Sequence, residues 1–336
     1  MLMSRSDVDP VLVEATRGDV VESEHRGACA VVDARGKVVL RLGDIDRPVY
    51  ARSAIKPLQA LPLIETGAAD AFGLGAREIA LACASHHGEP THVAAIAAWL
   101  ARLDLTADDL ECGAHAPANP AAAQELIRGG GKPSPLHNNC SGKHAGFLST
   151  ARHLGEATRG YIDAEHPVQR RVLAVLEAMT GLDLSSAPRG IDGCGIPVIG
   201  IPLRATARAM ARLADPDGLG EARVAAARRI LGAMAAEPYM VAGTGTFTTA
   251  LMTAAGPRVR LKPGAEGMFC AALPQMGLGI ALKIADGAGR AAEVAMGAIL
   301  SRIGALDPAQ REALSAFLSP PIKNVAGRVV GRLRAV

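Results

Sequence analysis

The spacing of hydrophobic positions changes twice along this chain, and the changes divide it. Residues 11–50 alternate and turn like strands: VLVEA, then ACAVVDARGKVVLRL, whose polar ARGK corner predicts a hairpin. From about residue 53 to residue 240 the period becomes three and four. THVAAIAAWLARL, HAGFLSTARHL, PVQRRVLAVLEAM and GEARVAAARRILGAMA each gather apolar side chains on one helical face, and Thr91 is placed to cap the first. Strand-like runs return in RVRLK, GMFCAAL and GLGIALKIADG, followed by a helix over AAEVAMGAILSRIG and a strand-like segment over 322–334. The alternation of basic and apolar residues in GRVVGRLRAV fits a strand with one solvated face. Strands at both ends with helices between them predict an α/β (α+β) chain, with an antiparallel sheet built from the N- and C-terminal segments and a helical region inserted at its middle. The expected division is 1–75 with 243–336 for the sheet subdomain and 76–242 for the mainly helical one, together forming one catalytic unit.

Composition narrows the function classes. The chain has 336 residues, 36 basic and 33 acidic, for a net charge of +3, without a block of like charges. Nucleic acid and anionic membrane are therefore not the expected partners. Acidic residues interrupt the start, MLMSRSDVDPVLVEATRGD, where a signal peptide needs an apolar run, so a cytoplasmic protein is expected. Six cysteines in such a chain read as free thiols or ligands rather than a disulfide framework.

Only seven of the 36 basic residues are lysine, which singles out Lys56 in ARSAIKPLQAL. Arginine stays protonated in any protein setting, whereas a lysine amine can be made neutral and then accept a proton. Ser53 stands three residues earlier, a spacing that shares a helical face and suits a nucleophile beside its base. Chance alone predicts about 0.3 such S-x-x-K pairs here, so the pair is weak by itself. Pro57 and Pro62 further predict a kinked or late-starting helix.

Other stretches strengthen it. ASHHGEPTH places Ser85 in a polar loop, and LKPGAEG places Lys262 at a strand end. S-x-x-K, a loop serine and a lysine-glycine strand occur in this order in serine-acylating enzymes of the penicillin-binding type. His86, His87 and His92 are expected to order their loop by hydrogen bonding rather than to bind metal. Cys140 and Lys143, in HNNCSGKHAGFL, and Cys194, in GIDGCGIPV, lie in polar, glycine-rich turns as candidate zinc ligands, nucleophiles or substrate contacts. In EPYMVAGTGTFTTALM, the turn Gly243, Thr244, Gly245 is expected between a helix and a strand, where amides and hydroxyls suit a carboxylate or an oxyanion.

RSAIKPLQALP, CASHHGEPTH, NNCSGKHAGFL, GIDGCGIPV, VAGTGTF and KPGAEG, in this order from 52 to 267, resemble the rhizobial-type L-asparaginases of the L-asparaginase II family. The resemblance implies a serine β-lactamase-like or glutaminase-like fold, a homodimer, and hydrolysis of L-asparagine to aspartate and ammonia. It implies catalytic pairs Ser53 with Lys56 and Ser85 with Lys262. It also implies one zinc ion per subunit held by Cys140, Lys143 and Cys194, with Arg52, His144 and Asp192 near the substrate. A lysine that binds a metal must be deprotonated, which gives a second reason to use lysine instead of arginine. The alternatives are another serine hydrolase of β-lactamase type (a glutaminase, an esterase or a peptidase) and an inert protein that binds zinc or a small molecule.

Overall fold

The computed structural model describes residues 9–336. The opening stretch MLMSRSDV, on which the reading of the N-terminus partly rests, lies outside the described residues. The chain divides into two compact units. One contains the described residues up to Ala54 with Ile201–Asp215 and Ala250–Val336; the other contains Ile55–Gly200 and Pro216–Thr249.

The first unit is built on an eight-stranded antiparallel sheet drawn from both ends of the chain. Its order is Pro321–Lys323, Val329–Ala335, Val11–Arg17, Val20–Asp33, Leu278–Ile284, Met268–Leu273, Arg260–Pro263, with Val38–Leu42 also paired to Val20–Asp33. The expected hairpin is present: Ala30 pairs with Arg41 and Val31 with Leu40. Every residue of Met268–Leu273 is buried, so both faces of that strand are covered. The helix Leu203–Ala214 supplies part of the cover, and it lies so close that a Cβ on Gly279 would stand 2.0 Å from Ala207 O. Glycine is required there by the close approach of two backbones. The segment expected as one strand over 322–334 is two, folded back through a turn in which the Asn324 carboxamide accepts from the Arg328 amide at 2.9 Å.

The second unit is mainly helical. At its centre lies Ser141–His153, whose residues from Ser141 to Ala151 are all buried, as expected for a helix enclosed on every side. Its second residue is glycine for a packing reason: a Cβ on Gly142 would meet Leu81 O at 2.3 Å, so the end of the helix Ala76–Ala82 rests directly on its first turn. Trp99 fixes a third helix, Pro90–Ala101, by donating its indole N–H to Ser149 Oγ at 2.9 Å.

Three local expectations are corrected. The N-cap of Pro90–Ala101 is Glu89 and not Thr91, because Pro90 occupies the first helical position, where its missing N–H costs nothing. The segment after Gly245 is a helix, Phe247–Ala255, and not a strand. Its buried residues Phe247, Thr248, Leu251, Met252 and Ala255 recur at helical spacing, which overrides the β preference of Thr and Phe. A short hairpin, Arg189–Ile191 with Pro197–Pro202, interrupts the helical region. Among the described residues no helix is long and apolar enough to cross a membrane.

Candidate active site

In the sheet unit, Ser53 lies half-buried in a single 3-10 turn, Arg52–Ile55. Arg52 has a φ of 50°, a left-handed conformation that a non-glycine residue adopts at a cost. The strand bearing Lys262 runs beneath this turn. A Cβ on Gly264 would meet Ala51 O at 2.7 Å and Ala54 N at 3.1 Å, so the glycine of the K-P-G block lets that strand end pass under the Ser53 turn. The fully buried Lys262 donates to Pro263 O at 2.7 Å, and it stands opposite Cys270, whose thiol burial pushes up while the lysine charge pulls it down.

In the helical unit, Lys56 opens the helix Lys56–Gln59, which stops at Ala60 before a second short helix, Leu61–Glu65. Pro57 and Pro62 each lie in a first turn, as their locked φ and missing N–H require. The Lys56 side chain is fully buried, and its Nζ meets Ala84 O, Ser85 Oγ at 3.1 Å and Asn139 O at 3.3 Å and also hydrogen-bonds the Cys140 sulfur. The two carbonyls can only accept. The Ser85 hydroxyl can both donate and accept. The cage holds the Lys56 amine within hydrogen-bond distance of the Ser85 hydroxyl. The sequence reading pairs Lys56 with Ser53 and Lys262 with Ser85; the lysine–serine contact found inside the helical unit joins Lys56 to Ser85.

Each side of that cage is fixed. Ser85 follows the helix Ala76–Ala82, and its amide donates to Val241 O at 2.9 Å. The amide of Asn139 donates to His115 Nε2 at 2.9 Å, and His115 Nδ1 contacts Ala116 O at 2.7 Å, which sets the Nδ1–H tautomer. Next to Ser85, His86 Nδ1 accepts from the Gly88 amide at 3.1 Å and its Nε2 lies 2.9 Å from Ser141 Oγ, which itself donates to Leu136 O. The imidazole is therefore a neutral Nε2–H donor. Burial, reinforced by the charges of His92 and Lys56, holds it well below the ordinary histidine range. Its ring stacks on His92, which stacks on Tyr239.

Cys140, Lys143 and Cys194 converge in the same unit. Lys143 Nζ lies 3.1 Å from Cys194 Sγ, and the Cys194 thiol hydrogen-bonds Cys140. That bond, with the charges of Lys56 and Lys143, holds Cys140 well below the ordinary thiol range against burial, while Cys194 is pushed up. Burial lowers Lys143, but the attraction of the two sulfurs outweighs it and the lysine is raised. Two sulfurs beside an amine offer N and S donors of the kind zinc accepts. Among the described residues no cluster of three His, Cys, Asp or Glu gathers to hold a metal, here or elsewhere. His144, the next residue, accepts a hydrogen bond from the Tyr161 hydroxyl on Nδ1 at 2.8 Å, that hydroxyl in turn accepting from the Glu111 amide; its buried Nε2 has no partner among the described residues. Asp192 occupies the hairpin turn just before Cys194, with its Oδ1 on the Gly193 amide at 2.7 Å, and it adds negative charge near Lys143.

The turn at Gly243, Thr244 and Gly245 does hold a carboxylate, but one of the protein's own. Glu89 accepts from the Thr244 amide at 2.8 Å and the Thr244 hydroxyl at 2.7 Å. Sequence reasoning missed Glu89, although a signal was there: glutamate is a poor N-cap residue, so its position directly before Pro90 implies another task. No curated protein matches the chain. Over residues 13–335, nearly its whole length, the chain matches L-asparaginase II, and it belongs to that family.

Proposed function

We propose that this chain hydrolyses the side-chain amide of L-asparagine to aspartate and ammonia through an acyl-enzyme formed by Ser–Lys chemistry. The observation that carries the reading is the Lys56 cage: a fully buried amine whose hydrogen-bond partners among the described residues include the Ser85 hydroxyl, together with two carbonyl oxygens and the Cys140 sulfur. Such an amine is built to take a proton from an alcohol and return it. The serine oxygen attacks the amide carbon, backbone amides hold the oxyanion, and the C–N bond breaks as the nitrogen takes a proton and leaves as ammonia. Water then cleaves the acyl ester and restores the alcohol.

Family membership supports asparagine as the substrate, and the acyl group is assigned in this proposal to Ser53, with Lys56 as base and Lys262 assisting proton movement. Arg52, His144, Asp192 and the turn Gly243, Thr244 and Gly245 are the proposed substrate contacts. Cys140, Lys143 and Cys194 would hold one zinc ion per subunit, whose charge would organise the loops at 140 and 194. Loss of the Lys143 proton would be part of metal uptake. A serine β-lactamase-like fold and a homodimer complete the reading; an antiparallel sheet drawn from both chain ends supports the first.

The test is ammonia release from L-asparagine and L-glutamine, combined with mass spectrometry of enzyme quenched during turnover. Ammonia from asparagine and an adduct of aspartyl mass on a serine are expected. Turnover with no adduct in Ser53→Ala, or no ammonia from either amino acid with wild-type protein, would overturn the mechanism or the activity respectively.

A further inference from the structure

Among the described residues of the helical unit, Glu89 is the buried carboxylate, and the proposed reaction gives it no task. It occupies the N-cap position of Pro90–Ala101 without capping that helix. Instead Oε1 accepts from the Thr244 amide at 2.8 Å, while Oε2 accepts from the Thr244 hydroxyl at 2.7 Å and the Tyr239 hydroxyl at 3.3 Å. The turn is shaped around this group. Gly243 has a φ of 99°, and a Cβ there would stand 2.5 Å from Glu89 Oε1. Burial raises the acid, but the bonds from Thr244 outweigh it and the carboxyl lies below its ordinary range, as expected of a carboxylate that accepts several donors.

A second bond ties the same two segments together. The Ser85 amide donates to Val241 O at 2.9 Å, two residues before the turn, and Glu89 closes the connection four residues further along the Ser85 loop. Thr244 is exposed, yet both of its donors are committed to Glu89. What the turn presents outward is Gly245, exposed, with a φ of 70° and nothing within 4 Å of its Cβ position.

We propose that Glu89 is a positioning residue that clamps the Gly243–Gly245 turn in register with Ser85, and that it governs how tightly the turn holds the substrate and not how fast the amide bond breaks. The assignment rests on the amidohydrolase reading, because the proposed ligand of the turn is the amino-acid substrate.

Glu89→Ala, Glu89→Gln and the wild type separate the outcomes. In glutamine the amide oxygen still accepts from the Thr244 amide, and the two hydroxyls can rotate to accept from its NH2 group. Glu89→Ala is expected to raise KM for asparagine by about tenfold or more with kcat within about threefold, and Glu89→Gln to stay within about threefold of wild type in both. Formate, a carboxylate small enough for the vacated space, should restore most of the loss in Glu89→Ala, while chloride at the same ionic strength should not.

Hydrogen exchange of the amides in 240–246 gives a readout independent of activity. Protection is expected to fall in Glu89→Ala and to return with glutamine or formate. Unchanged exchange in Glu89→Ala overturns the clamp, and so does a KM within about twofold of wild type, a kcat loss as large as the KM rise, or no response to formate. If the wild type releases no ammonia, the activity reading fails while the exchange result still decides the clamp. Should Glu89→Ala fail to fold, Thr244→Val carries the test by removing one donor: faster exchange and a higher KM support the clamp, and wild-type values for both overturn it.

Discussion

Gly264→Ala adds a single methyl group where the strand bearing Lys262 passes under the Ser53 turn. The new carbon would stand 2.7 Å from Ala51 O and 3.1 Å from both Ala54 N and Met268 Cβ, where ordinary contact begins at 3.4 Å. The nearest obstacle is backbone, which cannot rotate away as a side-chain tip can, so turn and strand must part by 3.4 − 2.7 = 0.7 Å. Overpacking of this kind costs about 1–3 kcal/mol. A reactant misplaced by 1 Å loses about 100-fold in rate, so a shift of this size predicts a kcat about 10- to 100-fold lower if Ser53 carries the acyl group. Urea unfolding gives the first quantity and ammonia release the second. A variant with wild-type stability would refute the packing argument, and one that loses stability but keeps wild-type kcat would remove Ser53 from the reaction.

Three further outcomes are expected. Because burial depresses His86, the folded protein keeps it neutral while the unfolded chain takes a proton below about pH 6.5. Its contribution is intact above that pH and is lost progressively below it, with a slope of up to about 1.4 kcal/mol per pH unit. The unfolding free energy of His86→Asn, followed from about pH 6.5 to about pH 4.5, should therefore fall less steeply than that of wild type; equal slopes would contradict the assignment. Gly232→Ala, exposed in the interior of the helix Glu221–Ala236 with nothing within 4 Å of the added carbon, should stabilise the protein by about 0.5–1 kcal/mol in urea unfolding, and a loss of stability would count against that helix. Zinc should bind at one ion per chain with release of protons, and Cys194→Ala should lose it; elemental analysis showing undiminished zinc in that variant would remove Cys194 from the donor set.

The sheet was legible in the sequence because its strands are buried in long apolar runs: GMFCAAL and GLGIALKIADG coincide with Met268–Leu273 and Leu278–Ile284. FTTALM was misread because Phe and Thr favour strands locally, whereas the spacing of Phe247, Leu251, Met252 and Ala255 suits a helix. Residue types and local order brought attention to Lys56, Ser85, Cys140, Lys143 and Cys194, all of which converge with a neighbour in the helical unit. Partner choice was not legible. Lys56 meets a hydroxyl 29 positions away, and that contact depends on Gly142 admitting the end of Ala76–Ala82 and on Val241 holding the Ser85 amide. The acceptors Ala84 O and Asn139 O are backbone atoms, which carry no residue-type signal at all.

Lys56→Met tests the central claim most directly, since it keeps a long unbranched chain while deleting the nitrogen that meets Ser85, Ala84 and Asn139. Ammonia release from L-asparagine should occur with wild type and fall by at least about 1,000-fold in a Lys56→Met protein that still unfolds cooperatively. Release at the wild-type rate by that folded variant would contradict the account.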